Sequence, residues 1–289
     1  MSSAFQQFSK STGPSSTAGG QSPAAVAAEQ VPLSPDKLHH RLASVGLWGA
    51  GLAWLTSLMG LQMALWPWIP PDRLQWLERL YTRGQVALTG SRWRAVVDPA
   101  IKAERPYLFF QNHVNHLDHC TMYCATPHFK QGVELASHFR YPIYGAFMRG
   151  RGTIPVEPGK RALQTLTDGI AAQLAVGHSV LVFPEGTRTL TGNLGPFQLG
   201  VFRIAQRLGA PIVPVTVVGM YRVMRKGSYL IRPGYDVTVY CDAPIETAGT
   251  SRAELPALVE QVRGVMARRL DDYYATVPPQ RRFWHRRRG

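Results

Sequence analysis

With 289 residues, 45% of them hydrophobic, the chain is long and apolar enough for one large catalytic domain plus appendages. Lys and Arg outnumber Asp and Glu by 32 to 18, a formal net charge of +14. An anionic partner is expected, and both nucleic acid and an anionic lipid surface qualify. Three cysteines, Cys120, Cys124 and Cys241, are too few and too oddly spaced for a zinc site or a disulfide framework, and they fit a reducing compartment.

Residues 1–36 are rich in Ser, Gly, Gln, Ala and Pro and lack periodicity, the composition of a disordered leader. Residues 37–90 form a helical, membrane-associated segment. Within it, residues 45–66 are uncharged and long enough, as a helix, to cross a hydrocarbon layer of roughly 30 Å. Several glycines interrupt this run, Trp48, Trp54, Trp66 and Trp68 edge it, and Pro67, Pro70 and Pro71 close it. Basic residues flank both sides, Lys37 and Arg41 before, Arg73 and Arg79 after. The positive-inside tendency keeps both flanks cytoplasmic and predicts a re-entrant or interfacial helix pair rather than a span. The run lies too far from Met1, and lacks a small-residue cleavage site, to be a signal peptide.

Residues 91–275 read as one α/β domain, a mostly parallel central sheet flanked by helices. Strands are expected at 107–110, 133–136, 153–156, 180–183, 212–218 and 237–241, alternating with helices that include 161–176 and 199–208. Ser251-Arg-Ala-Glu254 has the form of a capping box opening a last helix, whose apolar face carries Leu255, Leu258, Val259 and Val262. Residues 276–289 are a basic tail, with Phe283 and Trp284 set among arginines, a composition suited to lipid headgroups or single-stranded nucleic acid. The upstream apolar segment favours the membrane, and no specific nucleic-acid partner is expected.

Two motifs carry chemistry. In His113-Val-Asn-His-Leu-Asp118, five positions separate His113 from Asp118, which on a continuous helix sets their side chains roughly 140° apart. A turn is needed, and the local pattern supplies one: a strand to Phe110, a bend marked by Asn112 and Asn115, and a helix from Leu117. Asp118 then holds one imidazole nitrogen while the other takes a proton from an incoming hydroxyl. A metal is the rival reading, since His113, His116, Asp118 and His119 are all ligand types and His116-Leu-Asp-His119 resembles half of the metallo-β-lactamase-type signature. The first histidine sits one position too far away for that signature, and no metal is expected. The second motif, Phe183-Pro-Glu-Gly-Thr-Arg188, follows an apolar strand, so Glu185, Gly186, Thr187 and Arg188 lie at a strand's C-terminal end, where open α/β sheets bind ligands. Gly186 permits close backbone approach, Arg188 offers a forked contact to phosphate or carboxylate, and Glu185 either accepts from a substrate hydroxyl or orients Arg188.

From about Trp93 to Tyr240 the chain resembles the PlsC-type glycerolipid acyltransferases, which include 1-acylglycerol-3-phosphate acyltransferases. His113 and Asp118 match that family's His-x4-Asp block, residues 183–188 its acceptor-binding block, and Ile212-Val-Pro-Val-Thr216 the block holding a family proline, here Pro214. The resemblance implies transfer of a fatty acyl group from acyl-CoA or acyl carrier protein to a lysolipid hydroxyl, with His113 as base and no cofactor. It also implies a catalytic domain on the cytoplasmic face of a membrane. Two departures concern the acceptor. The family's second block ends in a phosphate-binding arginine, where this chain has Pro158, and many members carry two lysines where it has Gln198 and Leu199. Arg149, Arg151, Lys160 and Arg161 lie close enough in sequence to restore charge. The expected acceptor is 1-acylglycerol-3-phosphate, giving phosphatidic acid; the alternatives are another lysolipid, such as an amino-acid-derived one, and a metal-dependent hydrolase built on the histidine cluster.

Overall fold

A computed structural model describes residues 38–276 apart from Pro158 and Lys160. The leader at 1–36 and the tail from residue 277 lie outside the described residues.

Seven strands form one sheet: β1 (Arg92–Val97), β2 (Leu108–Gln111), β3 (Lys130–Leu135), β4 (Ile154–Val156), β5 (Ser179–Val182), β6 (Ile212–Val218) and β7 (Asp236–Cys241). Their order is β1-β7-β6-β2-β5-β3-β4. The run from β6 to β4 is parallel; β7 pairs antiparallel with β6, and β1 pairs parallel with β7. The mostly parallel sheet is thus the observed one. β1 escaped the sequence reading because it is a largely exposed edge strand whose Arg92 and Arg94 look like a solvated stretch. Its register is fixed by β7, with Arg92 opposite Asp236 and bonded to it at 3.0 and 3.1 Å.

Eight α-helices are described: α1 (Leu38–Leu65), α2 (Gln75–Leu88), α3 (Asp118–Ala125), α4 (Pro142–Arg151), α5 (Ala162–Ala175), α6 (Leu199–Leu208), α7 (Met220–Val223) and α8 (Leu255–Ala275). The strand alternation of β2 sends Leu108 and Phe110 to one face of the sheet and Tyr107 and Phe109 to the other. The first face is covered by α5, α6 and α8 through Ile170, Phe202 and Val262; the second by α2 and α3 through Val86 and Met122. The capping box forms as expected, Ser251 N–H donating to Glu254 Oε2 at 2.7 Å, and Leu255, Leu258, Val259 and Val262 are buried behind it.

The N-terminal region differs from the expected helix pair in where it bends. Helix α1 runs unbroken through Gly46, Gly49, Gly51 and Gly60, and the chain turns at the prolines instead, with α2 returning alongside. Tertiary contacts outweigh the weak helix propensity of glycine: Gln85 Nε2 donates to the Gly51 carbonyl at 2.7 Å, and the Trp54 indole lies against Gly84, where a Cβ would meet Nε1 at 2.2 Å. Residues 40–65 are long and apolar enough to cross a bilayer by length and composition. Leu42, Val45, Leu52, Trp68 and Trp76 are exposed along this helical pair.

A polar cluster ties α2 to the sheet. Arg151, at the end of α4, donates to Glu78 Oε1 of α2 (2.6 and 2.8 Å), Gln131 Oε1 (2.6 Å) and the Lys130 carbonyl (2.6 Å). Beside it, the buried Lys130 ammonium donates to the carbonyls of Thr126 and His128 at 3.2 and 2.9 Å. Burial pushes its pKa down from 10.5 to about 7. Between those values the unfolded chain holds a proton that the folded chain has released, so this residue makes stability rise with pH. Lys130→Met is expected to remove up to about 1.4 kcal/mol per pH unit from the wild-type slope between pH 7 and 10. Urea midpoints of the two proteins across that range test this; parallel curves would refute it.

Candidate active site

The sheet register brings the two motifs together. Phe110 of β2 stands opposite Val182 of β5, so His113 and Glu185, each three residues further on, leave neighbouring parallel strands at the same level. The strand-bend-helix geometry is the one the spacing demanded: β2 ends at Gln111 and α3 begins at Asp118. Both asparagines hold the bend. Asn112 exchanges two hydrogen bonds with the Val217 backbone (2.7 and 3.1 Å), while Asn115 donates to the carbonyls of Met220 and Met224 and accepts from Leu117 N–H.

Asp118 is fully buried, and its Oδ2 receives three donors: His113 Nδ1 at 2.8 Å, Val114 N–H at 2.5 Å and Asn115 N–H at 2.9 Å. With Nδ1 engaged, the imidazole's other nitrogen, Nε2, is left for substrate. The ring is fixed further by stacking on Phe183, with centroids 3.9 Å apart and planes 16° apart. A carboxylate on one side and an aromatic face on the other set both tautomer and orientation.

Glu185 does something different from either role its sequence position suggested. Its Oε1 accepts from His113 N–H at 2.8 Å and its Oε2 from Gly195 N–H at 2.7 Å, and the side chain is buried. It therefore pins the His113 loop to the loop after β5 and makes no pair with Arg188. Burial raises its pKa from 4.5 to about 7, against the lowering effect of the two N–H donors. Gly186 turns the chain at φ +65°, its N–H bonded to the Phe183 carbonyl at 3.0 Å, and Thr189 N–H closes back on the His113 carbonyl at 2.7 Å. Arg188 Nη1 donates to His116 Nε2 at 2.7 Å. His116 must be neutral to accept, and burial, with Arg188 beside it, lowers its pKa.

The accessory cations are placed otherwise than their sequence proximity implied. Arg151 lines the cavity described below, but it is buried with its guanidinium committed to Glu78, Gln131 and the Lys130 carbonyl, so it also braces the fold. Arg161 is exposed at the start of α5 and off the cavity wall, and Lys160 lies outside the described residues. Pro214 stands inside the sheet opposite Phe110 and does not line the cavity. The histidine cluster does not converge: His116 meets Arg188, and His119 contacts Cys120 Sγ at 3.3 Å with its pKa lowered to about 4 by burial. Among the described residues no group of three or more His, Cys, Asp or Glu is placed to hold a metal ion.

His113, Gly186, Thr187 and Arg188 share the wall of a cavity of about 1040 Å³. Its remaining walls are largely apolar, with Leu55 and Met59 of α1, Tyr81 of α2, Val133 of β3 and Phe147 of α4. One cation joins this wall that the sequence reading passed over: Lys226, whose Nζ donates to Thr187 Oγ1 and to the Arg188 carbonyl, both at 2.9 Å. Its only sequence signal is a basic pair before a turn glycine, indistinguishable from a solvated loop. An oriented base, neighbouring cations and a largely apolar chamber suit attack by a hydroxyl on an activated acyl group.

Comparison with known proteins gives this class its family. The family model described as Acyltransferase matches residues 94–218. A 1-acyl-sn-glycerol-3-phosphate acyltransferase of Saccharomyces cerevisiae is 30% identical over 260 residues, covering 83% of this chain and 79% of that protein. The chloroplastic 1-acyl-sn-glycerol-3-phosphate acyltransferase BAT2 of Brassica napus is 33% identical over 144 residues, 50% of this chain and 42% of that one. For this relative and for the Arabidopsis thaliana LPAT1, at 46%, the match spans less than half of their length. The crystal structure of PlsC from Thermotoga maritima superposes with a TM-score of 0.71 at 19% identity, over 84% of this chain and 99% of that one, a likeness of fold. The chain belongs to the acyltransferase family of the 1-acyl-sn-glycerol-3-phosphate acyltransferases.

Proposed function

We propose that the protein transfers a fatty acyl group from acyl-CoA or acyl carrier protein to the free hydroxyl of 1-acylglycerol-3-phosphate, giving phosphatidic acid at the cytoplasmic face of a membrane. The observation that carries this reading is the cavity wall shared by His113, held on Asp118 at 2.8 Å, and Arg188. The relatives' names supply the acceptor. In this reading the acceptor's phosphate meets Arg188 and its hydroxyl meets His113 Nε2. Nε2 takes the hydroxyl proton as the oxygen bonds to the thioester carbonyl carbon, and Asp118 stabilises the imidazolium so formed. As the tetrahedral intermediate collapses, the C–S bond breaks and the leaving thiolate takes that proton back. No cofactor and no covalent enzyme intermediate take part. Helices α1 and α2 rest in the bilayer through their exposed apolar residues, which lets the acyl chain enter the cavity from the lipid.

The test is transfer of labelled acyl groups from acyl-CoA and from acyl carrier protein to a panel of lysolipids. 1-Acylglycerol-3-phosphate is expected to give the highest kcat/KM. A preference for an amino-acid-derived or other phosphate-free lysolipid would overturn the acceptor assignment.

A further inference from the structure

In the acceptor reading proposed above a dianionic headgroup meets Arg188, one of whose donors is already held by His116. A second cation, Lys226, stands beside it from a different part of the chain.

Three observations place it. First, Lys226 lines the same cavity as Arg188, Thr187 and His113. Second, an ammonium has three protons, and the two bonds to Thr187 and Arg188 use two of them. Neither Lys226 nor Arg188 is paired with a carboxylate among the described residues, so two neighbouring positive charges stand without a counter-charge. Third, the loop bearing Lys226 is anchored. Gly227 at φ +79° closes a turn in which Ser228 N–H bonds to the Arg225 carbonyl at 3.2 Å. Beyond it, Trp48 Nε1 of α1 donates to the Tyr229 carbonyl at 2.7 Å, and Ser44 Oγ accepts from Ile231 N–H at 2.9 Å. A lysine held at both ends of its loop and aimed at the motif backbone is not a freely solvated side chain.

We propose that Lys226 is an acceptor-binding residue that clamps the phosphate together with Arg188. This deepens the acceptor assignment made above and rests on it.

Binding and turnover are measured separately, on Lys226→Met, Lys226→Arg and wild type. The binding probe is sn-glycerol 3-phosphate, read as competitive inhibition of acceptor use and by direct titration. Loss of one charge-assisted bond predicts roughly 10- to 100-fold weaker binding by Lys226→Met and a matching rise in KM for 1-acylglycerol-3-phosphate. Its kcat should stay within about threefold, and Lys226→Arg should restore most of the affinity. For monoacylglycerol, which lacks the phosphate, the rise in KM caused by Lys226→Met should be about tenfold smaller than for 1-acylglycerol-3-phosphate. Unchanged binding, or an equal loss with monoacylglycerol, overturns the clamp and leaves the acyl-transfer reading standing. Lys226-dependent binding in a wild type that acylates no lysolipid supports the clamp and overturns that reading.

Discussion

His113→Ala lowers kcat by roughly 10²- to 10⁴-fold, the range for loss of a positioned general base, while KM for the acceptor changes by less than about threefold. The split follows from geometry: the imidazole stacks on Phe183 and hangs from Asp118, so its removal leaves the Arg188 cation in place. Asp118→Asn is the sharper experiment. Oδ2 accepts three N–H groups whereas the buried Oδ1 has no partner, so an asparagine can turn its carbonyl to the three donors and its amide nitrogen to the empty side. The bend then keeps its three hydrogen bonds while the charge is lost. A kcat reduced about 10²- to 10⁴-fold is expected, with a melting temperature lowered by the amide N–H groups left unpaired but less than in Asp118→Ala. Asp118→Ala instead unfolds more readily, because each buried N–H left unpaired costs about 1–3 kcal/mol. Activity retained by both His113→Ala and Asp118→Asn would refute the mechanism.

Arg151→Met is expected to destabilise the fold by about 3–5 kcal/mol, the penalty for stranding one member of a buried ion pair. Glu78 is the residue stranded: it lies on α2, 7% exposed, with Arg151 at 2.6 Å. The double variant Glu78→Gln with Arg151→Met should recover part of the loss, since the uncompensated carboxylate is gone. Urea midpoints of the four proteins decide it. A midpoint unchanged in Arg151→Met, or a double variant no more stable than it, would show that the cluster does not brace α2. This outcome matters for function because α2 carries Tyr81 into the cavity wall.

Much of the fold was legible in local pattern. The apolar runs at β2, β5 and β6 are strands because they are short, β-branched or aromatic, and bounded by turn residues, and α6 at Leu199–Leu208 matches its predicted span. Strand β1 was not legible, since an exposed edge strand has no buried face to impose a pattern. The continuity of α1 was not legible either: local propensity reads its glycines as breaks, and only the packing of Gln85 on Gly51 and of Trp54 on Gly84 overrides them.

By itself the sequence determined the chemistry on offer. The five-residue spacing of His113 and Asp118 forces a strand-bend-helix, and a glycine turn after a buried strand presents Arg188 beyond that strand's C-terminal end; both are local consequences of backbone geometry. The tertiary structure decided which groups meet. His113 and Glu185 are 72 positions apart and become neighbours only through the β2–β5 register, which turns Glu185 from a candidate substrate ligand into a clasp between loops. Arg151 and Lys226 exchanged their expected importance for the same reason. A cation's role depends on what burial takes from it and which partner replaces water, and both are set by residues far away in the chain.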